Sequence, residues 1–174
     1  MKLTKKAYSV VNFSKLFILL LVCSIAFVGC KKDDEDTDPD GGTQTAGGSM
    51  SAKVNGQPFD ATLAVQATIS GNVFAFAGTA NSSTSVRQIN INIADYQGVG
   101  TYNFTTVGST AIWSEGTSAD KIFTANFLVG SGQVNITEVA NGRVKGTFEF
   151  TGSNAGGGGS ETRTITEGKF DVKI

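Results

Sequence analysis

Two cysteines are the only thiols in this 174-residue chain, and their positions give them different chemistry. Cys23 lies inside the apolar run at 16–28 (LFILLLVCSIAFV), while Cys30 follows that run directly after Gly29. There is no histidine. Disulfides downstream of Cys30, His-based triads and the common zinc and haem ligand sets are therefore excluded. Catalysis would have to use carboxylates, Lys, Tyr or a Ser-Lys pair. The carboxylates after the acidic run (Asp60, Asp95, Glu115, Asp120, Glu138, Glu149, Glu161, Glu167, Asp171) are scattered singly. A glycosidase needs two of them facing each other across a cleft at roughly 5–10 Å. The Ser82-Ser83-Thr84-Ser85 run reads as a loop. No catalytic motif, cofactor site or metal site emerges, and the chain is read as a non-enzyme.

The surroundings of Cys30 point to lipid. Lys2, Lys5, Lys6 and Lys15 precede the apolar run without an acid among them. A basic segment, an apolar core of ~7–15 residues and a small exit residue make a secretory signal. The run is shorter than the ~20 residues of a spanning helix. Phe27-Val28-Gly29-Cys30 resembles a bacterial lipobox, where a diacylglycerol is placed on the cysteine and the chain is cut before it. Phe27 stands where that motif usually has Leu. The resemblance implies a signal peptide over 1–29, a lipid on Cys30, and a membrane as the first partner. Each buried methylene contributes ~0.8 kcal/mol, and stable anchoring takes more than one chain.

Cut at that point, the mature chain has ten basic and fifteen acidic residues, a net charge of −5. Six of the acids fall between Asp33 and Asp40. Together with Cys30, residues 31–48 (KKDDEDTDPDGGTQTAGG) form a tether, because they contain no apolar side chain larger than Ala. Cys30-Lys31-Lys32-Asp33-Asp34-Glu35-Asp36 also resembles the export signal of Bacteroidota surface lipoproteins, apart from one extra lysine. That resemblance implies the outer membrane and its outer leaflet. Asp36-Thr37-Asp38-Pro39-Asp40-Gly41 matches the start of an EF-hand loop, but Gly47 occupies the position of the bidentate Glu. The spacer reading is preferred.

Residues 49–174 are nearly neutral, with eight basic and nine acidic side chains and no basic patch, which argues against nucleic acid. Their length suits one domain. Alternation of apolar and polar residues recurs, as in Arg87-Gln88-Ile89-Asn90-Ile91-Asn92-Ile93. It predicts strands near 50–54, 57–63, 64–70, 73–79, 87–93, 100–106, 110–114, 121–129, 133–139, 143–151, 162–167 and 169–174. No helical stripe is present. The expected fold is all-β: an antiparallel sandwich of about ten short strands, with a closed barrel as the alternative.

Two hairpins can be registered. Asn55-Gly56 as a two-residue loop sets Ala52 opposite Phe59. Around Asn141-Gly142, burial favours a three-residue Ala140-Asn141-Gly142 loop, which sets Val134 opposite Phe148 and Ile136 opposite Gly146. The longest loop is expected at 152–160. Phe74, Phe76, Tyr96, Tyr102, Trp113, Phe123 and Phe127 are read mainly as core. Trp113, beside a loop at Ser114-Glu115-Gly116, is the candidate ligand contact for a glycan or protein partner.

Ala52-Lys53-Val54-Asn55-Gly56-Gln57-Pro58-Phe59, Gly146-Thr147-Phe148-Glu149-Phe150 and Ile165-Thr166-Glu167-Gly168-Lys169-Phe170-Asp171-Val172 resemble a family of small Bacteroidota lipoproteins, a domain-of-unknown-function family. That resemblance implies a lipid-anchored all-β domain and transfers no active site.

Overall fold

Burial alternates along nearly every strand, so one sheet face builds the core and the other meets solvent. The computed structural model describes residues 47–154, 158 and 160–174. The signal segment, Cys30 and the tether up to residue 46 lie outside the described residues. Among the described residues no helix is long and apolar enough to cross a membrane.

The all-β antiparallel fold expected from the alternation is present, with eleven strands. They are β1 (Gly48–Val54), β2 (Gln57–Asp60), β3 (Ala64–Ser70), β4 (Val73–Asn81), β5 (Val86–Ile93), β6 (Gly100–Asn103), β7 (Thr110–Glu115), β8 (Ile122–Ala125), β9 (Ser131–Ala140), β10 (Arg143–Ser153) and β11 (Thr162–Lys173). One 3-10 turn, Ala119–Lys121, precedes β8.

Hydrogen bonding joins the strands into one sheet, curled into a half-barrel. It has two lobes. The first runs β2-β1-β11-β10-β9-β6 and the second β8-β7-β5-β4-β3. They meet where Ser153 of β10 pairs with Thr124 of β8. The two inner faces that a sandwich takes from separate sheets thus come from one curled sheet. Phe76 of the second lobe stacks near Phe170 of the first at 4.3 Å and near Phe148 at 6.4 Å. Phe59 of β2 meets Trp113 of β7 edge-on at 5.4 Å.

The strand expected at 57–63 ends at Asp60, and two others end early for one shared reason. β6 pairs with β9 while β7 pairs with β8, and both β8 and β9 pair with β10. Residues 100–115 and 122–140 are therefore two neighbouring long strands, each broken at the lobe junction. The breaks, 104–109 and 126–130, shorten the strands expected at 100–106 and 121–129. At the second break Asn126 Oδ1 accepts from the backbone N–H groups of Leu128 and Val129 at 2.9 and 3.1 Å. This leaves Phe127 half exposed.

The Asn55-Gly56 hairpin forms as expected, with Ala52 opposite Phe59. The second hairpin requires a correction. Ala140 pairs with Arg143, so Asn141-Gly142 is a two-residue turn with φ of 52° and 71°. Those values suit the mirror-image turn that Asn-Gly favours. The register beyond it is nonetheless the one burial demands, Val134 opposite Phe148 and Ile136 opposite Gly146. A bulge at Thr137 takes up the odd residue, and its hydroxyl donates to the Lys145 carbonyl at 3.2 Å.

The strands expected at 162–167 and 169–174 are one strand, β11. Ile165 and Phe170 both face the core, yet an odd number of positions separates them. A bulge reconciles them: Phe148 lies opposite Gly168 and Phe150 opposite Ile165. Glu167 takes φ 52° there. A methyl group on Gly168 would run into the carbonyl oxygen and ring of Phe148. β10 extends to Ser153, so the long connection is 154–161, part of it outside the described residues.

Candidate functional site

Trp113 is 1% exposed. Its ring packs on Phe59, and its Nε1 donates to Glu115 Oε1 at 3.2 Å. Neither ring face is open to a ligand, so alternation along β7 placed it in the core despite the adjacent loop. Phe74, Phe76 and Phe123 are buried with it, and Tyr96 and Tyr102 sit at the core's edge 5.8 Å apart. Burial raises the Tyr96 pKa, with the neighbouring Tyr102 adding to the effect. The Tyr96 hydroxyl has no partner among the described residues. Cys30, the lipid-attachment candidate, lies outside the described residues.

Among the described residues, a concave feature lies on the outer face of the first lobe. Here β6, β9, β10 and β11 present alternate polar residues at matching levels. Thr101, Asn135, Thr147 and Lys169 form one row across the strands. Gln133 and Glu149 form the next, joined by Glu167 at the β11 bulge. The bulge bends β11 and opens a groove of about 570 Å³ lined by these residues. A smaller hollow of about 190 Å³ continues past Glu149 to Ser131 and Thr164.

Its polar side chains are largely engaged with one another. Gln133 Nε2 donates to Glu149 Oε1 at 3.2 Å, and Thr101 Oγ1 to Asn135 Oδ1 at 3.2 Å. Lys53 Nζ meets Glu167 Oε1 at 2.8 Å, with side chains 45% and 63% exposed. A pair that exposed is worth at most ~1 kcal/mol. The groove thus offers hydroxyls, amides and two carboxylates to a polar ligand, with no aromatic platform.

Of the scattered carboxylates, the structure brings Glu149 and Glu167 into this one groove. Asp171 pairs with Arg143 at 2.7 Å, Glu138 with Lys145 at 3.4 Å and Glu161 with Arg163 at 3.4 Å. Asp95 accepts from Asn72, and Asp120 from Ser118, a bond that lowers the Asp120 pKa. Ser82 closes its own turn onto Ser85. Among the described residues no three acidic, His or Cys side chains gather as a metal site. The groove residues were each visible as polar positions of alternating strands. Their convergence needed the β6–β9 and β10–β11 pairings.

With this geometry in hand, comparison is informative. A family model described as a domain of unknown function (DUF6252) matches residues 47–172. The chain belongs to this family. No curated protein and no solved structure matches it. The DUF6252 match opens one residue before β1 and closes within β11, so it takes in both lobes and the groove.

Proposed function

We propose that this DUF6252 chain is an exported lipoprotein of the Bacteroidota envelope. A lipid on Cys30 holds it at the outer membrane, and it displays a non-catalytic β domain with a binding or structural role. The observation that carries this is Gly29-Cys30 at the exit of the apolar run at 16–28. A charge-rich tether then leads to Gly47, beside which the first strand begins. The Lys-then-acid run after Cys30 supports display on the outer leaflet. The open groove supports polar binding without chemistry, since Glu149 is held by Gln133 and Glu167 by Lys53.

A carboxylate-based hydrolase acting on glycans is the second reading, favoured by Glu149 and Glu167 sharing one groove. Incubating the detergent-solubilised chain with envelope glycans and measuring new reducing ends separates the two. The non-catalytic reading expects none. Reducing ends that appear with wild type and vanish in both Glu149→Gln and Glu167→Gln would establish the hydrolase instead.

A further inference from the structure

Two turns of this chain are built from the same dipeptide, Asn55-Gly56 and Asn141-Gly142. Each is a two-residue hairpin turn, since Val54 pairs with Gln57 and Ala140 with Arg143. Their backbones match as well, with φ of 48° and 81° in the first and 52° and 71° in the second. All four residues are exposed. The central N–H groups of such a turn lie outside the strand ladder, and glycine sets no side chain beside its own nitrogen. A methyl group on Gly56 would meet nothing within 4 Å, and one on Gly142 would meet the Ile174 carbonyl oxygen at 3.9 Å.

The two asparagine side chains are held differently. Asn55 is tied to β11: its Oδ1 accepts from the Thr164 N–H at 2.9 Å, and its own N–H donates to the Thr164 carbonyl at 2.8 Å. The Asn55 carboxamide is thus committed to Thr164 and must release it before it can swing onto the nitrogen of Gly56. Among the described residues nothing comparable fixes the Asn141 carboxamide. Water bonds to an exposed amide exchange without fixing its rotamer. The same dipeptide therefore occurs twice in the same turn geometry, once clamped and once free to rotate.

We propose that Asn141-Gly142 is a site of self-modification, where the asparagine converts through a cyclic imide to aspartate and isoaspartate, and that the Thr164 bond spares Asn55. The backbone nitrogen of Gly142 forms a bond to Cγ of Asn141. The Cγ–Nδ2 bond breaks, and Nδ2 leaves as ammonia with the proton that the Gly142 nitrogen gave up. Water then opens the ring. Attack at Cγ yields aspartate, and attack at the backbone carbonyl carbon of residue 141 yields isoaspartate. At Asn55 the Thr164 bond must break first, which slows the step by roughly threefold to tenfold. Isoaspartate lengthens the main chain by one carbon inside a two-residue turn. That turn also holds the C-terminal residue, because the Ile174 N–H donates to the Gly142 carbonyl at 2.9 Å. The site belongs to the folded domain and does not depend on Cys30, so either assignment can fail alone.

The test follows both turns in the detergent-solubilised full chain, incubated in mildly alkaline buffer, where more of the attacking amide is deprotonated. Samples are taken at intervals and digested in acid, which stops the reaction. Chromatography and mass spectrometry then separate the asparagine, aspartate and isoaspartate forms of each peptide. In the folded chain the Asn141 peptide should convert roughly threefold to tenfold faster than the Asn55 peptide. Unfolding in urea removes the Thr164 bond, so the two rates should then converge through acceleration at Asn55. Equal rates in the folded chain, or faster conversion at Asn55, would overturn the proposal. So would an Asn141 that converts only once the chain is unfolded, or a rate ratio that urea leaves unchanged.

Discussion

Replacing Cys30 by Ala is expected to move the protein from the detergent phase to the aqueous phase on cloud-point partitioning. The physical basis is a difference of anchors. With a lipidated Cys30, several acyl chains enter the bilayer, each methylene contributing ~0.8 kcal/mol. With Ala, the only remaining apolar candidate is the run at 16–28, too short to span with its ~13 residues against ~20. The downstream acidic tether adds nothing that would hold an anionic surface. On the proposed reading the effect is close to complete, because the lipid on Cys30 is the one anchor that reading assigns. A Cys30→Ala chain that stays in the detergent phase places the anchor elsewhere.

The second large effect is on stability. Trp113→Ala removes a ring that is 1% exposed and packed edge-on to Phe59. Large aromatic truncations in a core cost about 3–5 kcal/mol. Against a typical total of about 5–15 kcal/mol, that is a large share of what holds a domain folded. The loss should exceed that of an average core site because Phe59 belongs to β2, a four-residue edge strand. β2 pairs with β1 alone and meets the second lobe through contacts that include this one and Arg87 over the Phe59 ring. Chemical denaturation should show the midpoint falling steeply, with Trp113→Phe intermediate. A change within about 1 kcal/mol of wild type would contradict the core assignment.

Much of the fold was legible because burial imposes period two on the sequence. Ile89, Ile91 and Ile93 announced β5, and Val144 to Phe150 announced β10. The Asn55-Gly56 hairpin followed from turn chemistry alone. Where two local demands conflicted, the sequence showed the conflict but not its resolution. Asn141-Gly142 wanted a two-residue turn, the core wanted Val134 opposite Phe148, and a bulge at Thr137 satisfied both. Ile165 and Phe170 read in sequence as belonging to two strands, and the bulge at Glu167, with its left-handed backbone, joins them into one.

The site was harder to read. Lys53 and Glu167 meet across 114 positions of sequence, and Thr101 meets Asn135 across 34. Alternation says which residues face outward, but not which strands are neighbours. The groove is a product of strand order. Trp113 shows the reverse limit: a loop neighbour suggested exposure, while the period of β7 correctly assigned it to the core.

On the proposed reading Cys30 is the lipidated first residue of the mature protein. Mass spectrometry of the N-terminal peptide, released from protein purified out of its own envelope, tests it directly. The expected peptide begins at Cys30 and carries the mass of a diacylglyceryl group on sulfur. A peptide containing unmodified Cys30, or one that begins upstream of it, would contradict the claim.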